Sequence, residues 1–107
     1  MEPLSEQQIL KNLRQQQDCS AQYYAAWWLG KKRSRHPEAL PLLLQCLAYL
    51  KQNGTHADQR GVALNAIRAL GLLQDDAASD ALIPLLHSDD YTVREEAARS
   101  LLSLIHI

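Results

Sequence analysis

Apolar and small side chains recur in the same order in three segments of this chain. Residues 21–30 read AQYYAAWWLG, residues 62–71 read VALNAIRALG, and residues 93–102 read VREEAARSLL. Each segment has a small pair, or its equivalent, in the middle and a leucine three or four positions later, at Leu29, Leu70 and Leu101. Self-similarity at an interval of tens of residues is typical of stacked helical repeats. The pattern therefore predicts a helical array.

Helical spacing explains how the segments would pack. Ala21, Ala25 and Leu29 fall on one stripe of a helix, and the small residues on that stripe let a neighbouring helix approach closely. Each segment is predicted to be the first helix of a helix-turn-helix unit, with second helices over residues 37–52 and about 77–87. Gly30 and Gly71 are expected just past the helix ends, in a left-handed backbone conformation. The predicted fold is all-α, a HEAT-like helical-repeat solenoid with a right-handed superhelical twist.

The pattern divides the chain into one domain with four parts. These are a lead-in helix over 4–17, a repeat over 18–52, a repeat over 58–87 and a partial repeat over 89–107. The interval from Ala25 to Ala66 is 41 residues and that from Ala66 to Ala97 is 31, so an inserted loop is expected around residues 53–57. The partial repeat ends in LSLIHI, which is apolar where terminal repeats normally carry a polar face. The sequence is therefore expected to be an amino-terminal portion of a longer protein, or to end in non-native residues.

Several residues are predicted to begin or end these helices. Ser5 with Gln8 fits a capping box, and Asp18 or Ser20 is expected to cap the first repeat. Asp75 and Asp76 should cap the helix that follows them, and Asp89 or Asp90 the third segment. Proline is expected to start one helix, at residue 37, and to kink or shorten another, at residue 84.

Composition places the chain among ordinary globular proteins. It has 107 residues, 47% hydrophobic and 21% charged, with a formal net charge of −1. The absence of a basic excess argues against a nucleic-acid partner. No apolar run is long enough for a membrane span, and the first residues do not fit a secretory signal. The two cysteines lack metal-ligand spacing, so no metal site is predicted and a cytoplasmic location is expected.

The aromatic residues of the first segment are the main candidates for binding. Tyr23 with Trp27, and Tyr24 with Trp28, are four residues apart and are predicted to pair. If Ala25 faces the core, Tyr24 and Trp28 flank it, and Tyr23 and Trp27 face solvent. The rings either pack on the lead-in helix or form a ligand platform or a protein interface, where Trp and Tyr are enriched.

Charged and polar residues offer the remaining candidates, since no phosphate loop, nucleophile elbow, HExxH or Cys-x-x-Cys motif is present. Arg33 and Arg35, in the basic loop KKRSRH over residues 31–36, are either solvated cations near a helix end or a clamp for carboxylates. Asn65 either lines a groove or bonds a neighbouring helix. Asp90 is either a helix cap or a polar ligand contact. Arg94 is either a surface helix residue or a partner of Asp90, four positions earlier.

The residues SAQYYAAWWLGKKRSRHPEALPLLL (20–44) resemble the opening of the E/F-type phycobilin lyases, HEAT-like proteins that attach linear tetrapyrroles to phycobiliproteins. Within that family, LSEQQILKNLRQQQD (4–18), LNAIRALG (64–71) and DDYTVREEAARSL (89–101) are similar to the E-type, or alpha, subunits. The resemblance implies a lyase subunit that works with an F-type subunit. It implies attachment of phycocyanobilin, as substrate and not as a tightly bound cofactor, to a cysteine of a phycobiliprotein alpha subunit such as apo-phycocyanin.

A helper for this attachment needs a platform for a flat pigment, cations for two propionates and a polar group for pyrrole nitrogens. Tyr24 and Trp28 are the candidates for the platform, Arg33 and Arg35 for the cations, and Asn65 or Asp90 for the polar group. Tyr23 and Trp27 are the candidates for partner binding. No catalytic residue is assigned.

The sequence also departs from the family pattern. LNAI stands where RNAA is usual, and the 53–57 loop differs, so the bilin and the phycobiliprotein are left open. Two other functions are open on the same fold. One is a HEAT-like adaptor that binds only protein, and the other is a phycobilisome disassembly factor without attachment activity.

Overall fold

Six α-helices and three 3₁₀-helices make up the part of the chain that the computed structural model describes, residues 3–51 and 56–105. The α-helices are α1 (Glu6–Arg14), α2 (Cys19–Lys31), α3 (Ala39–Cys46), α4 (Ala57–Leu73), α5 (Ser79–Leu82) and α6 (Tyr91–Leu104). The 3₁₀-helices are Leu47–Lys51, which continues α3, then Asp76–Ala78 before α5 and Ile83–His87 after it. The all-α prediction is confirmed.

The helices form two layers. In the first layer α4 lies between α2 and α6 and contacts both. The second layer contains α1, α3 and α5, each packed against the first, and α1 also contacts α3. The principal dimensions are 41 × 38 × 19 Å. The shortest corresponds to about two helix diameters of roughly 10 Å each, so the molecule is a slab two helices thick, as a HEAT-like stack requires.

The repeated small residues occupy the centre of this slab. Ala25, Ala66 and Ala97, at matching places in α2, α4 and α6, are all fully buried. Leu29 and Leu70 are also fully buried, whereas the third leucine of the pattern is only partly so because it lies in the last helix of the stack. The three-segment pattern is confirmed as the packing core.

The prediction for the two glycines was wrong. Gly30 lies inside α2 and Gly71 inside α4, and both are buried. A Cβ atom on Gly30 would lie 2.8 Å from the Cα of Ala69 in α4, so glycine is needed there for close helix approach. The left-handed conformations belong instead to Arg33 and Gln74, with φ of 49° and 56°. Closing a helix end and nesting two helices both favour glycine, and the sequence does not separate the two roles.

The second helices are shorter and less regular than predicted. The helix expected over 37–52 begins as α3 at Ala39, after a turn in which the Ala39 N–H donates to the His36 carbonyl, so Pro37 precedes the helix instead of starting it. The helix expected over 77–87 is interrupted as predicted, because Pro84 lacks the N–H that would continue α5 beyond Leu82. Residues 52–55, which include most of the expected inserted loop, lie outside the described residues.

The capping predictions are confirmed where they name a first-layer helix or α1. Ser5 and Gln8 form the reciprocal capping box of α1. Asp18 caps α2 by accepting from the Ala21 N–H, and Asp90 caps α6. Asp75 caps the 3₁₀-helix before α5.

The lead-in helix ends earlier than expected. α1 stops at Arg14, because the side chain of Gln15 accepts hydrogen bonds from the N–H groups of Gln17 and Asp18 and folds the chain into a turn. At the other end of the stack Leu102 of α6 and Ile105, which follows α6, are 67% and 61% exposed. The last two residues of the predicted partial repeat lie outside the described residues.

Candidate functional site

Three aromatic side chains form an exposed surface on α2, hereafter the aromatic face. Tyr23, Tyr24 and Trp27 are each 47% exposed, although aromatic rings of this size are normally mostly buried. The ring centroids of Tyr24 and Trp27 lie 5.6 Å apart with a tilt of 36°. The expected solvent exposure of Tyr23 and Trp27 is confirmed. Tyr24 was expected beside Trp28, but its ring lies on Trp27, while Trp28 packs against the core.

A shallow groove of about 140 Å³ lies between Trp27 of the aromatic face and α4. Trp27 and Lys31 line it from α2, and Asn65, Arg68 and Leu72 line it from α4. Gly30 forms part of its floor, because the absent side chain brings the two helices together at this point. The groove therefore combines apolar surface from Trp27 and Leu72 with the cations of Lys31 and Arg68. Lys31 and Arg68 were considered from the sequence only as solvated cations or as a clamp for carboxylates, and Leu72 was not selected. Arg68 occupies the repeat position of Trp27.

Asn65 bonds a neighbouring helix, which was one of its two predicted roles. Its Nδ2 donates to the Tyr23 carbonyl of α2 at 3.1 Å, and its Oδ1 accepts from Arg68 Nη1 at 2.9 Å. Arg68 continues the chain of contacts to α6, where its Nε lies 3.1 Å from Glu96 Oε2. Asn65 is buried and also borders the groove. Its polar groups are engaged in holding the first layer together.

The carboxylate of Asp90 also joins two helices of the first layer, α6 and α4. Its two oxygens accept from Arg60 Nε at 2.6 Å and Arg60 Nη2 at 2.9 Å, and Oδ1 also caps α6. The hydrogen bond from Arg60 is the main reason that the pKa of Asp90 falls to about 2. The alternative in which Arg94 pairs with Asp90 was wrong, because Arg60 takes that carboxylate. Arg94 instead donates to the Ser88 carbonyl at 2.7 Å and lies over the Tyr91 ring.

The basic loop does not join the aromatic groove in a single pocket. Arg33 takes the left-handed turn after α2 and is exposed. Arg35 lines a separate pocket of about 470 Å³, between the loop and the start of the α5 region, together with Asp75 and Asp76. These two carboxylates offset the arginine as a site for an anion. Ser34 anchors the loop to α1 by donating to Glu6 at 2.8 Å.

Cys46 provides no activated thiol. Cys46 is 4% exposed, and its burial raises the pKa of the thiol to about 12, so it stays protonated at neutral pH. Over residues 3–51 and 56–105, no group of three His, Cys, Asp or Glu side chains is placed to hold a metal ion. In the same two ranges, no helix has both the length and the apolar character needed to cross a bilayer. The described surface therefore offers binding groups and helix-joining ion pairs.

Comparison with known proteins identifies relatives over nearly the whole chain. The family model of HEAT repeats matches residues 6–101. Over 96 residues the chain is 63% identical to the bilin biosynthesis protein RpcE of Synechococcus sp. (strain WH8020), covering 90% of this chain and 36% of that protein. It is 44% identical over 102 residues to the phycocyanobilin lyase subunit alpha of Synechococcus elongatus, covering 94% of this chain and 36% of that protein.

A solved structure gives the same result in three dimensions. The structure of the complex of CpcE and CpcF of phycocyanin lyase from Nostoc sp. PCC7120 matches with a TM-score of 0.79 and 38% identity, over 97% of this chain and 38% of that chain. These similarities confirm the resemblance to the E-type lyase subunits. The chain spans about 36% of the length of the two relatives described above.

Proposed function

We propose that this chain, which belongs to the HEAT-repeat family, serves in an E-type phycobilin lyase subunit that helps attach phycocyanobilin to a cysteine of a phycobiliprotein alpha subunit. The observation that carries the proposal is 63% identity with a bilin biosynthesis protein over 90% of this chain. Stacking helices requires only small and apolar residues at matched places, so identity this high indicates that exposed positions are shared as well.

The chemistry proposed is addition without a leaving group. The thiol of the acceptor protein adds across a carbon–carbon double bond of the ring-A side chain. A sulfur–carbon bond forms and the proton of the thiol ends on the pigment. Phycocyanobilin is the substrate, and no tightly bound cofactor is proposed. This chain would accelerate the step by holding and orienting the reactants, since its buried Cys46 thiol stays protonated. The proposed location is the cytoplasm, where thiols such as Cys19 and Cys46 stay reduced.

The aromatic face is proposed to bind the F-type partner subunit. Tyr23 and Trp27 were the predicted partner contacts, and Tyr24 joins them through its ring contact with Trp27. Exposed Trp and Tyr side chains are typical anchors of protein interfaces. Support for a partner of this kind comes from the matching solved structure, which is a complex of two lyase subunits.

The predicted pigment contacts remain a hypothesis at the residue level. Tyr24 and Trp28 differ in exposure, Arg35 lies beside two carboxylates, and the polar groups of Asn65 and Asp90 are engaged with neighbouring helices. Arg33 is exposed and lies in the turn that follows α2. We therefore propose that the pigment binds to another part of the chain.

Coexpression tests the proposed function. The matching segment of the Synechococcus sp. (strain WH8020) relative is replaced by this chain, and the chimera is expressed with its F-type partner, an apo-phycocyanin alpha subunit and phycocyanobilin. We expect covalently coloured alpha subunit in a denaturing gel, visible by zinc-enhanced fluorescence. The matched control omits the chimera. A soluble chimera that yields no more adduct than this control would refute the proposal.

The same experiment separates the two other functions considered. A protein-only adaptor would retain the partner in a pull-down without forming adduct. A disassembly factor would bind chromophorylated antenna protein and release it from its assembly without increasing attachment.

A further inference from the structure

One buried side chain of α2 has an unused hydrogen-bond acceptor. Gln22 is 2% exposed, and its Nε2 donates to the Leu13 carbonyl at 3.3 Å and to the Tyr49 hydroxyl at 3.0 Å. Its Oε1 is buried and accepts no hydrogen bond from the described residues. Leaving a buried acceptor unpaired destabilises the fold, so such a group calls for a donor that completes it.

Gln22 lies at the floor of a groove between α1 and α3, hereafter the α1–α3 groove. A pocket of about 120 Å³ contains Gln22 and Tyr49, and a second pocket of about 520 Å³ adjoins it. The two share Arg14, Leu42 and Gln45 as lining residues. Their combined size falls within the range of small-molecule sites, which is about 300–1,000 Å³. Because the α-helix turns by about 100° per residue, Gln22 and Tyr24 lie on nearly opposite sides of α2.

The groove has the chemistry that a linear tetrapyrrole requires. Leu42 and two prolines give it apolar surface for conjugated rings. Arg14 lies where the pockets meet and pairs with Glu38, and both side chains are about half exposed, so a carboxylate from solvent can compete for the guanidinium. The pyrrole and lactam nitrogens of such a pigment carry N–H groups. An N–H donor is the partner that Gln22 Oε1 lacks. Apolar walls with a few converging polar groups are typical of ligand sites.

We infer, on the premise of the proposed function, that the α1–α3 groove binds the pigment, with an N–H group donating to Gln22 Oε1 and a propionate pairing with Arg14. The pigment and the partner subunit then occupy opposite faces of the slab. Such an arrangement leaves the aromatic face free for the partner while the pigment is held.

Titration of the purified chain with phycocyanobilin tests the inference. We expect a saturable change in the visible absorbance of the pigment. Gln22→Met removes the acceptor at similar volume and should weaken binding about tenfold, the effect of one hydrogen bond to a buried group. Gln45→Trp fills the junction of the two pockets from the solvent side and should weaken binding by at least about tenfold, since the pigment can no longer enter.

Two control variants keep the test specific. Gln7→Trp makes the same exchange at an exposed position of α1 outside the groove, and Arg99→Ala alters an exposed position of α6. Both should bind the pigment like the unchanged chain. A thermal melt of each variant shows that it is folded at the titration temperature.

Several outcomes would overturn the inference. If the unchanged chain does not bind pigment, or if Trp27→Ala loses binding while both groove variants keep it, the pigment site is not this groove. If Gln22→Met changes only the melting temperature, the acceptor is completed by water alone. In each case the proposed function is tested separately, by whether the chimera forms covalent adduct. Pigment binding in the groove without adduct would instead refute the proposed function.

Discussion

The α2–α4 and α4–α6 contacts are two copies of one helix joint with different chemistry around it. In the first, Gly30 of α2 nests against Ala69 of α4, and in the second Gly71 of α4 nests against Ser100 of α6. The glycine and its small partner stand at matching repeat positions in both joints. The backbone approach is therefore the repeated feature.

The surroundings of the two joints differ. The first is bordered by Trp27 and by the polar link from Asn65 to the Tyr23 carbonyl. The second is bordered by ion pairs, Arg68 with Glu96 and Arg60 with Asp90, and by hydroxyl bonds from α6 to carbonyls of α4. Once glycine and its small partner bring the helices together, the outward positions no longer decide the packing. They are free to serve as an aromatic face at the first joint and as electrostatic links at the second.

The largest effect is expected from adding a methyl group to the glycines. Gly30→Ala and Gly71→Ala should each lower the free energy of unfolding by about 2 kcal/mol, because overpacking outweighs the gain in helix propensity. Gly61→Ala is the matched control, since a Cβ there would meet the Tyr23 ring at an ordinary 3.5 Å. It should be neutral or slightly stabilising. Denaturant unfolding measures all three, and a stabilised Gly30→Ala would mean that α2 and α4 are not this close.

The next largest effect concerns Asp90 at the second joint. Asp90→Ala removes both the helix cap and the partner of Arg60, and should lower the free energy of unfolding by about 1.5 kcal/mol. Asp90→Asn keeps a capping side chain and loses only the charge, so about half of that loss is expected. Equal losses in the two variants, measured by denaturant unfolding at neutral pH, would show that the cap contributes nothing.

The pH dependence of stability tests the same contribution of Asp90. The pKa of Asp90 is lowered from 3.8 to about 2, so its contribution is present above about pH 4 and is lost as the pH falls towards 2. Part of the acid destabilisation of the unchanged chain between pH 4 and 2 should therefore be missing in Asp90→Asn. Parallel stability curves for the two proteins over this range would contradict the assignment.

A smaller effect is expected from the hydroxyl at the second joint. Ser100 Oγ donates to the Ile67 carbonyl at 2.7 Å in a buried position. Ser100→Ala should lower the free energy of unfolding by about 1 kcal/mol, the usual contribution of one hydrogen bond. The reciprocal change Ala69→Ser, at the matching place in the first joint, should stay within about 0.5 kcal/mol because it can make the equivalent bond. A larger loss for Ala69→Ser would show that the joints are not interchangeable.

The smallest effect on stability is expected at the aromatic face. Trp27→Ala removes a half-exposed ring and should change the free energy of unfolding by less than about 0.5 kcal/mol, in line with surface substitutions. Its association with the F-type subunit, measured by calorimetry, should nevertheless weaken at least tenfold if Trp27 is an interface anchor. Unchanged association together with unchanged stability would remove the aromatic face from the proposed function.

Much of the fold could be predicted from the sequence because it depends on spacing within single helices. The three matched segments, the caps Asp18 and Asp90 and the interruption at Pro84 all depend on residues within a few positions of one another. The identities along the aromatic segment similarly allowed a family resemblance to be recognised. The candidate site could be predicted less well. Tyr24 and Trp27 turned out to be neighbours, and Arg60 took the carboxylate that had been considered for Arg94.

The sequence by itself therefore determined which helices form and which stripe of each is buried, since small and apolar residues at helical spacing leave few other solutions. Only the tertiary structure decided that Gly30 joins helices instead of ending one, that Arg60 reaches Asp90 across 30 positions, and that the buried Gln22 lines the α1–α3 groove. These features depend on distances between helices remote in sequence. Such distances follow from how whole surfaces pack together, and no local pattern of residues records them.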